Sequence, residues 1–330
     1  MSLPRSLVGV VAAAFTLAAV AANGAAAQQW PQRPVTMIIP FGAGSGIDVL
    51  GRVLAPAMAE KLGQPIVVEN VGGAGGMTGT ARVAKAAPDG YVFVLGNMGT
   101  HAVNQSLYSR PLYDAARDFE PVAAVADTPQ VLIVRKDLPV DGLRGFVAYA
   151  KANRATMQFG SAGAGSAAHL ACALLNAAIG IDVTHVPYRG GGPAMQDLIA
   201  GRIDYQCPLV ALARPHIESG QVRPIAVLSA RRSAILPQIP TAQEQGLAGF
   251  EVLTWNALFA PKGTPSAIVR RLRDAADAAI EAPGIQDRLR QIGAEPTPPE
   301  DRSPAFLKTL VGHEISKWSD AIKAAGLTAQ

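Results

Sequence analysis

Residues 35–39 (VTMII) form an unbroken apolar, β-branched run, and from Val49 onward Leu50, Val53, Leu54, Ala57, Met58 and Leu62 recur at helical spacing. The first pattern predicts a buried strand and the second an amphipathic helix. Between them lies PFGAGSGID (40–48), a loop from a strand end to a helix start. Gly42, Gly44 and Gly46 let this backbone turn sharply and approach a ligand, and Ser45 and Asp48 are candidate caps for the helix. A helix start presents unpaired N–H groups and the positive end of the helix dipole, which suits an anion. A tight turn without a ligand is the competing reading. Pro56 interrupts the helical pattern and predicts a kink or restart, and Gly63 fits a C-cap.

Further along, strands are predicted at 65–69 and 91–95, with a second glycine-rich loop at 71–80 opening a helix at 79–86. Three strand-then-loop repeats in the first hundred residues predict a mostly parallel sheet with helices on its faces. Strands at 119–126 and 130–135 are separated by Asp127-Thr128-Pro129. A second unit then begins: helix 143–153, strand 156–159 and the loop GSAGAGS (160–166), which echoes the first loop. It continues with helix 167–179, strand 183–186, turn 187–193, helix 194–200 and strands 203–207 and 224–228. A long strand at 250–260 returns the chain to the first unit, helices at 266–281, 285–291 and 304–325 finish it, and the proline-rich stretch 296–304 reads as a connector. The topology, rather than any fixed period, suggests two similar lobes.

The 330-residue length agrees with two lobes, and abundant Gly and Ala with only 16% charged residues suits close-packed α/β units. Residues 1–27 read as a cleaved secretory signal: Arg5, then an apolar stretch at 7–20 too short to span a bilayer comfortably, then Ala25-Ala26-Ala27. The expectation is a soluble protein outside the cytoplasm, with no cysteine at the cleavage site for a lipid anchor. Without the signal the chain holds 28 basic against 25 acidic residues, a net of +3. The basic residues are scattered, with Arg231-Arg232 and Arg270-Arg271 as adjacent pairs, which argues against nucleic-acid binding. Cys172 and Cys207 are the only cysteines. An exported chain permits a bridge between them, and two buried free thiols remain the alternative.

Strand-glycine-helix is also the dinucleotide signature, but Ile47 and Thr78 break its spacing in the first two loops. Gly163, Gly165 and Ala168 fit a relaxed form, with Asp182 near the place of a ribose acid, yet an exported protein meets little NAD. No nucleophile elbow or phosphate loop occurs, His313-Glu314 lacks a second histidine at metalloprotease spacing, and the five histidines show no metal-ligand pattern. His169 falls in the first turn of a helix if Ser166 caps it; there the dipole favours a neutral ring. That ring either donates toward the glycine loop or is bonded within its own lobe. Arg189, flanked by glycines, either clamps a carboxylate or is a free surface arginine. Ile315, Trp318 and Ile322 read as ordinary packing of the last helix.

These stretches together resemble the Bug family, the extracytoplasmic solute receptors associated with tripartite tricarboxylate transporters. The resemblance is carried by WPQRPVTMIIPFGAGSGID (30–48), LGQPIVVENVGGAGGMTG (62–79) and APDGYVFVLGNMGTHAVN (87–104), and continues through DFEPVA, FGSAGAGSAAHL, THVPYRGGGPAMQDLIAGRIDY, IPTAQEQGLAGFE and APKGTP. It implies a two-lobed α/β periplasmic binding protein of the second type with its ligand in the cleft between lobes. Lobe 1 would comprise 30–127 plus 253–330, and lobe 2 would comprise 128–252. The implied ligand is a small carboxylate, a di- or tricarboxylate or an aromatic acid, held by backbone amides, hydroxyls and water. Carried onto this chain, the family's ligand residues are Phe41, Gly42, Ala43, Gly44 and Ser45 with Asp48, then Met98, Gly99, Thr100 and His101. From the second lobe come Ser161, Ala162, Gly163, Ser166, His169, Arg189 and Asp204. Asp48, an acid beside an anion site, would cap its helix or receive an amino or hydroxyl group. The resemblance implies a periplasmic monomer with no cofactor, metal or catalytic turnover. Its partner would be the membrane permease of a tripartite transporter or, alternatively, a sensor protein; an enzyme using the same cleft is the remaining alternative.

Overall fold

The structure, a computed structural model, describes residues 30–324, so the signal expected at 1–27 and the last residues of lobe 1 lie outside it. Among the described residues the strands form two sheets. The first contains β1 (Val35–Ile39), β2 (Ile66–Asn70), β3 (Val92–Asn97), β4 (Phe119–Pro129), β10 (Leu253–Pro261) and β11 (Glu295–Pro296), ordered β11-β4-β10-β3-β1-β2. The second contains β5 (Val131–Arg135), β6 (Gln158–Ser161), β7 (Thr184–Pro187), β8 (Tyr205–Gln206) and β9 (Val222–Val227), ordered β7-β6-β8-β5-β9. The chain leaves the first sheet at the end of β4 and returns at the start of β10.

Both sheets are mixed rather than mostly parallel. β1 pairs in parallel with β2 and β3, and β6 with β7 and β8, but β4, β10 and β11 are antiparallel to their neighbours, as is β5 to β8 and β9. The strand–loop–helix repeats built the parallel parts, and the strands that pass between sheets run against them. Asp127-Thr128-Pro129 is no break either: β4 runs through it, paired with Leu253–Trp255 of β10, so the first sheet extends past the expected boundary at 127.

Helix α1 (Gly46–Leu62) follows the first loop and ends on Gly63, whose φ of 74° and N–H to Ala59 carbonyl close it. It is one helix through Pro56, without a restart. Pro56 is exposed, so the Arg52 carbonyl that it leaves unpaired can be met by water. Next come α2 (Met77–Ala84), a single wide π turn at Gly99–Val103, and α3 (Asn104–Leu107). The second sheet carries α4 (Gly142–Asn153), α5 (Ala167–Ile179), α6 (Gly191–Ile199) and α7 (Val210–Glu218). The chain closes with α8 (Ser266–Glu281), α9 (Pro283–Gln291) and α10 (Pro304–Ala324).

One core, with Ile39, Leu50, Leu54, Phe93 and Leu272, lies under α1 and α8; another, with Val131, Ile133, Leu198 and Val210, lies under α6 and α7. A third runs from Phe146 and Leu170 of the second sheet to Phe259 and Trp318 of the first. Trp318 is buried and, with Trp255, donates its indole N–H to Glu314. Cys172 and Cys207 are bridged, Cα atoms 5.4 Å apart, tying α5 to the end of β8.

Candidate functional site: a cleft between two glycine loops

Both glycine loops follow the C-terminal ends of parallel strands, β1 and β6, and open helices, α1 and α5. They face each other across a cleft of about 840 Å³. Of the residues singled out from the sequence, Phe41, Gly42, Ala43, Gly44 and Ser45 line one wall, and Ala162, Gly163, Ser166 and Arg189 line the other. Arg189 is the single charged side chain lining it among the described residues, and it is exposed and makes no ion pair there.

The remaining candidates sit behind the walls. Asp48 is buried; its Oδ2 accepts the Gly44 N–H at 2.8 Å, while Arg52 (3.0 Å) and Asn70 (2.8 Å) donate to Oδ1. Burial pushes its carboxyl up, but the bonds from Arg52, Gly44 and Asn70 outweigh this and hold it below the usual range. Ser161 is buried, and its hydroxyl lies between the backbone of Gly163 and His185 Nε2. His169 Nδ1 accepts the Gly165 N–H at 3.1 Å, so of its two readings the ring is bonded within its own lobe. Ser166 caps α5 by accepting the His169 N–H.

Met98, Gly99, Thr100 and His101 do not line the cleft. Thr100 Oγ1 accepts the Asn97 N–H and Asn97 Oδ1 accepts the Thr100 N–H, which starts the π turn and rotates His101 into the core. There His101 is fully buried and stacked on Phe259 with ring centroids 3.7 Å apart, and burial drives its pKa down to about 3. Asp204 is placed at the far end of its strand: it accepts from Arg135 Nε at 3.0 Å and from the Gln158 N–H at 2.8 Å, at the start of β6, whereas the ligand loop leaves the end of that strand.

Other polar residues that line the cleft carry no sequence motif. Asn97 stands one position before the stretch expected to bind. Thr128 is next to last in β4, Thr254 and Asn256 project from one face of β10, and Gln206 lies on β8. Ser45 Oγ, Gln206 Nε2 and Thr254 Oγ1 are buried without a hydrogen-bond partner, on residues that line the cleft. Buried polar groups are normally bonded, so these are free to bond a ligand or water. The detectable signal was a polar residue in an apolar strand, as in LTWNALFAP and IDYQCP. The glycines at 190–192, expected in a turn, begin α6 instead, so that helix start also faces the cleft. Leu209 and Leu212, next to the start of α7, add apolar surface.

The family described as the tripartite tricarboxylate transporter family receptor matches residues 50–327. The chain belongs to that family. It is similar to MatC from Rhodopseudomonas palustris with bound malate, at 39% identity and a TM-score of 0.82 over 89% of this chain and 100% of that one. The periplasmic binding protein BugD is 38% identical, with a TM-score of 0.83 over 91% of this receptor and all of BugD. Rpa4515 of R. palustris with adipate is 36% identical, with a TM-score of 0.83 over 91% of this receptor and 99% of that chain. This receptor is therefore a two-lobed α/β solute-binding protein of the Bug type. Among its described residues no helix is long and apolar enough to cross a membrane, and no group of three or more His, Cys, Asp or Glu is arranged to hold a metal.

Proposed function

We propose that this receptor captures a small carboxylate in the cleft, in the periplasm, and presents it to the permease of a tripartite transporter. The observation that carries the proposal is the pair of helix starts, α1 and α5, meeting across a cavity lined, among the described residues, by one charged side chain. An anion there would be held by backbone N–H groups and dipole ends, with Ser45, Ser166, Asn97, Gln206 and Thr254 supplying hydroxyls and amides. Arg189 and the start of α6 would add positive potential to the second wall. Malate in MatC and adipate in Rpa4515 are small dicarboxylates, which supports the ligand class. Contacts from both lobes to one ligand would favour a closed form by their differential affinity, and the closed form would be the one that the permease engages.

A thermal-shift panel of small carboxylates and their amides, on protein refolded from denaturant to strip co-purified ligand, tests this. Ligand at about a hundred times its Kd stabilises by about 2.7 kcal/mol, a shift of several degrees. Shifts confined to carboxylates support the reading; shifts with amides alone contradict it.

A further inference from the structure

The two loops share the sequence Gly-Ala-Gly-Ser, at 42–45 and at 163–166. Their backbones coincide from the second glycine onward: Gly44 has φ 80° and Gly165 φ 76°, and Ser45 and Ser166 both have φ −68° and ψ 156°. Ser45 N–H donates to Gly42 carbonyl at 3.2 Å and Ser166 N–H to Gly163 carbonyl at 3.1 Å, and each serine carbonyl then accepts the first helical bond. In each helix the third residue reaches back to the glycine ahead of the cap: Asp48 Oδ2 to Gly44 N–H at 2.8 Å, His169 Nδ1 to Gly165 N–H at 3.1 Å.

We infer that Asp48 and His169 are equivalent positioning residues, one per lobe, each fixing a cleft loop in its ligand-ready form by accepting that glycine N–H. The inference rests on the reading that these loops bind the carboxylate. Neither side chain lines the cleft, so each acts through the loop it holds. The Gly165 N–H is buried and costly to leave without an acceptor, whereas the Gly44 N–H is only part-buried and costs less; either loop, once released, would have to be ordered again by the ligand.

The two acceptors differ in chemistry. Asp48 is a carboxylate neutralised by Arg52, with Asn70 as a further donor. His169 accepts only as a neutral ring with its proton on Nε2, since a protonated imidazole has no acceptor nitrogen. The ionisable groups around it are His185, stacked on it at 4.1 Å, Asp182 across the hollow behind α5, and Tyr205 beyond Phe159. Burial pushes both histidines down to about 4, with His169 contributing to the shift of His185. Acidification through that range removes the acceptor in lobe 2 and leaves lobe 1 held.

The test compares wild type with His169→Ala, His169→Asn and Asp48→Ala. Asn Oδ1 falls near the position of His Nδ1 and stays an acceptor at every pH used. Amide hydrogen exchange without ligand reads the loops directly. His169→Ala should speed exchange of segment 163–166 about tenfold or more, His169→Asn should restore protection, and Asp48→Ala should speed exchange of 42–45 while leaving 163–166 as in wild type. With malate as the probe, His169→Ala should weaken Kd by about tenfold and His169→Asn by no more than about threefold. The wild-type to Asn ratio of Kd should rise between pH 7 and pH 4, a ratio from which the ligand's own titration cancels. Unchanged exchange in His169→Ala, or His169→Asn as damaging as Ala, overturns the inference. Failure of wild type to bind malate or any other carboxylate would instead contradict the proposed function, and the exchange data would still decide the role of His169.

Discussion

Gly42 and Gly163 hold corresponding places in the two loops, but a side chain would meet different surroundings at each. A Cβ on Gly42 has nothing within 4 Å, whereas one on Gly163 would stand 3.2 Å from Tyr188 carbonyl oxygen at a φ of 121°, where side chains are strained. Gly42→Val should therefore fold with a Tm near wild type and lose affinity about tenfold or more, while Gly163→Val should lose both affinity and stability; titration and melting curves of the two variants check this. The unpartnered atoms give a second expectation. Gln206 and Thr254 are 1% and 2% exposed, and each carries a buried polar atom without a partner. Gln206→Leu and Thr254→Val should leave the unliganded protein as stable as wild type or more so, and weaken ligand binding by about tenfold. A loss of stability without a loss of affinity would show that these groups serve the fold. At this scale the loops were legible because glycine, serine and helix-start spacing are local. His101 and Asp204 were not: His101 is turned into the core by a reciprocal Asn97–Thr100 cap, and Asp204 binds Arg135, 69 positions away in the chain.

Elements whose pattern is regular were readable nearly to the residue, as for β1, α5 and α8. Helix α7 was not foreseen; it is nine residues long with Pro215 inside. The start of α6 was hidden by three glycines and Pro193, which read as a turn, although proline fits a first helical turn. Pairing direction was also out of reach, because periodicity reports which faces are buried and not which way a neighbour runs. The bridge between α5 and β8 closes a loop with a sequence separation of 35, for which the chain-entropy relation gives about 3–4 kcal/mol. Because it joins the helix behind one ligand loop to the strand that carries Gln206, its loss acts on lobe 2. Cys172→Ala with Cys207→Ala should lower Tm by several degrees, with the faster hydrogen exchange confined to residues 131–227; a uniform change would contradict that placement.

Across the whole molecule, three histidines, His101 and His169 buried and His185 half-buried, set the direction of the pH response. Burial holds His101 at about 3 and His169 and His185 at about 4, below the ordinary 6.5, so the unfolded chain binds more protons between these values. Their stabilisation is complete above about pH 6.5 and is lost as pH falls toward 4. Asp127 works in the opposite sense: burial first, then Glu295, Asp301 and Glu251, raise it to about 7, so its share is lost as pH rises toward neutrality. With three groups against one, Tm should fall from pH 6.5 to pH 4.5, and a flat or rising Tm would contradict the neutral histidines. The two-lobed architecture was legible from the repeated strand–glycine–helix unit; the point of crossing was not, since Asp127, Thr128 and Pro129 look like a turn and are strand. The measurement that bears most directly on function is calorimetric titration of the protein from residue 28 onward with malate and with its diamide. A single-site heat with malate and none with the diamide is the expected result. Equal binding of the two would show that the helix starts do not select an anion, and would contradict the carboxylate reading of the cleft.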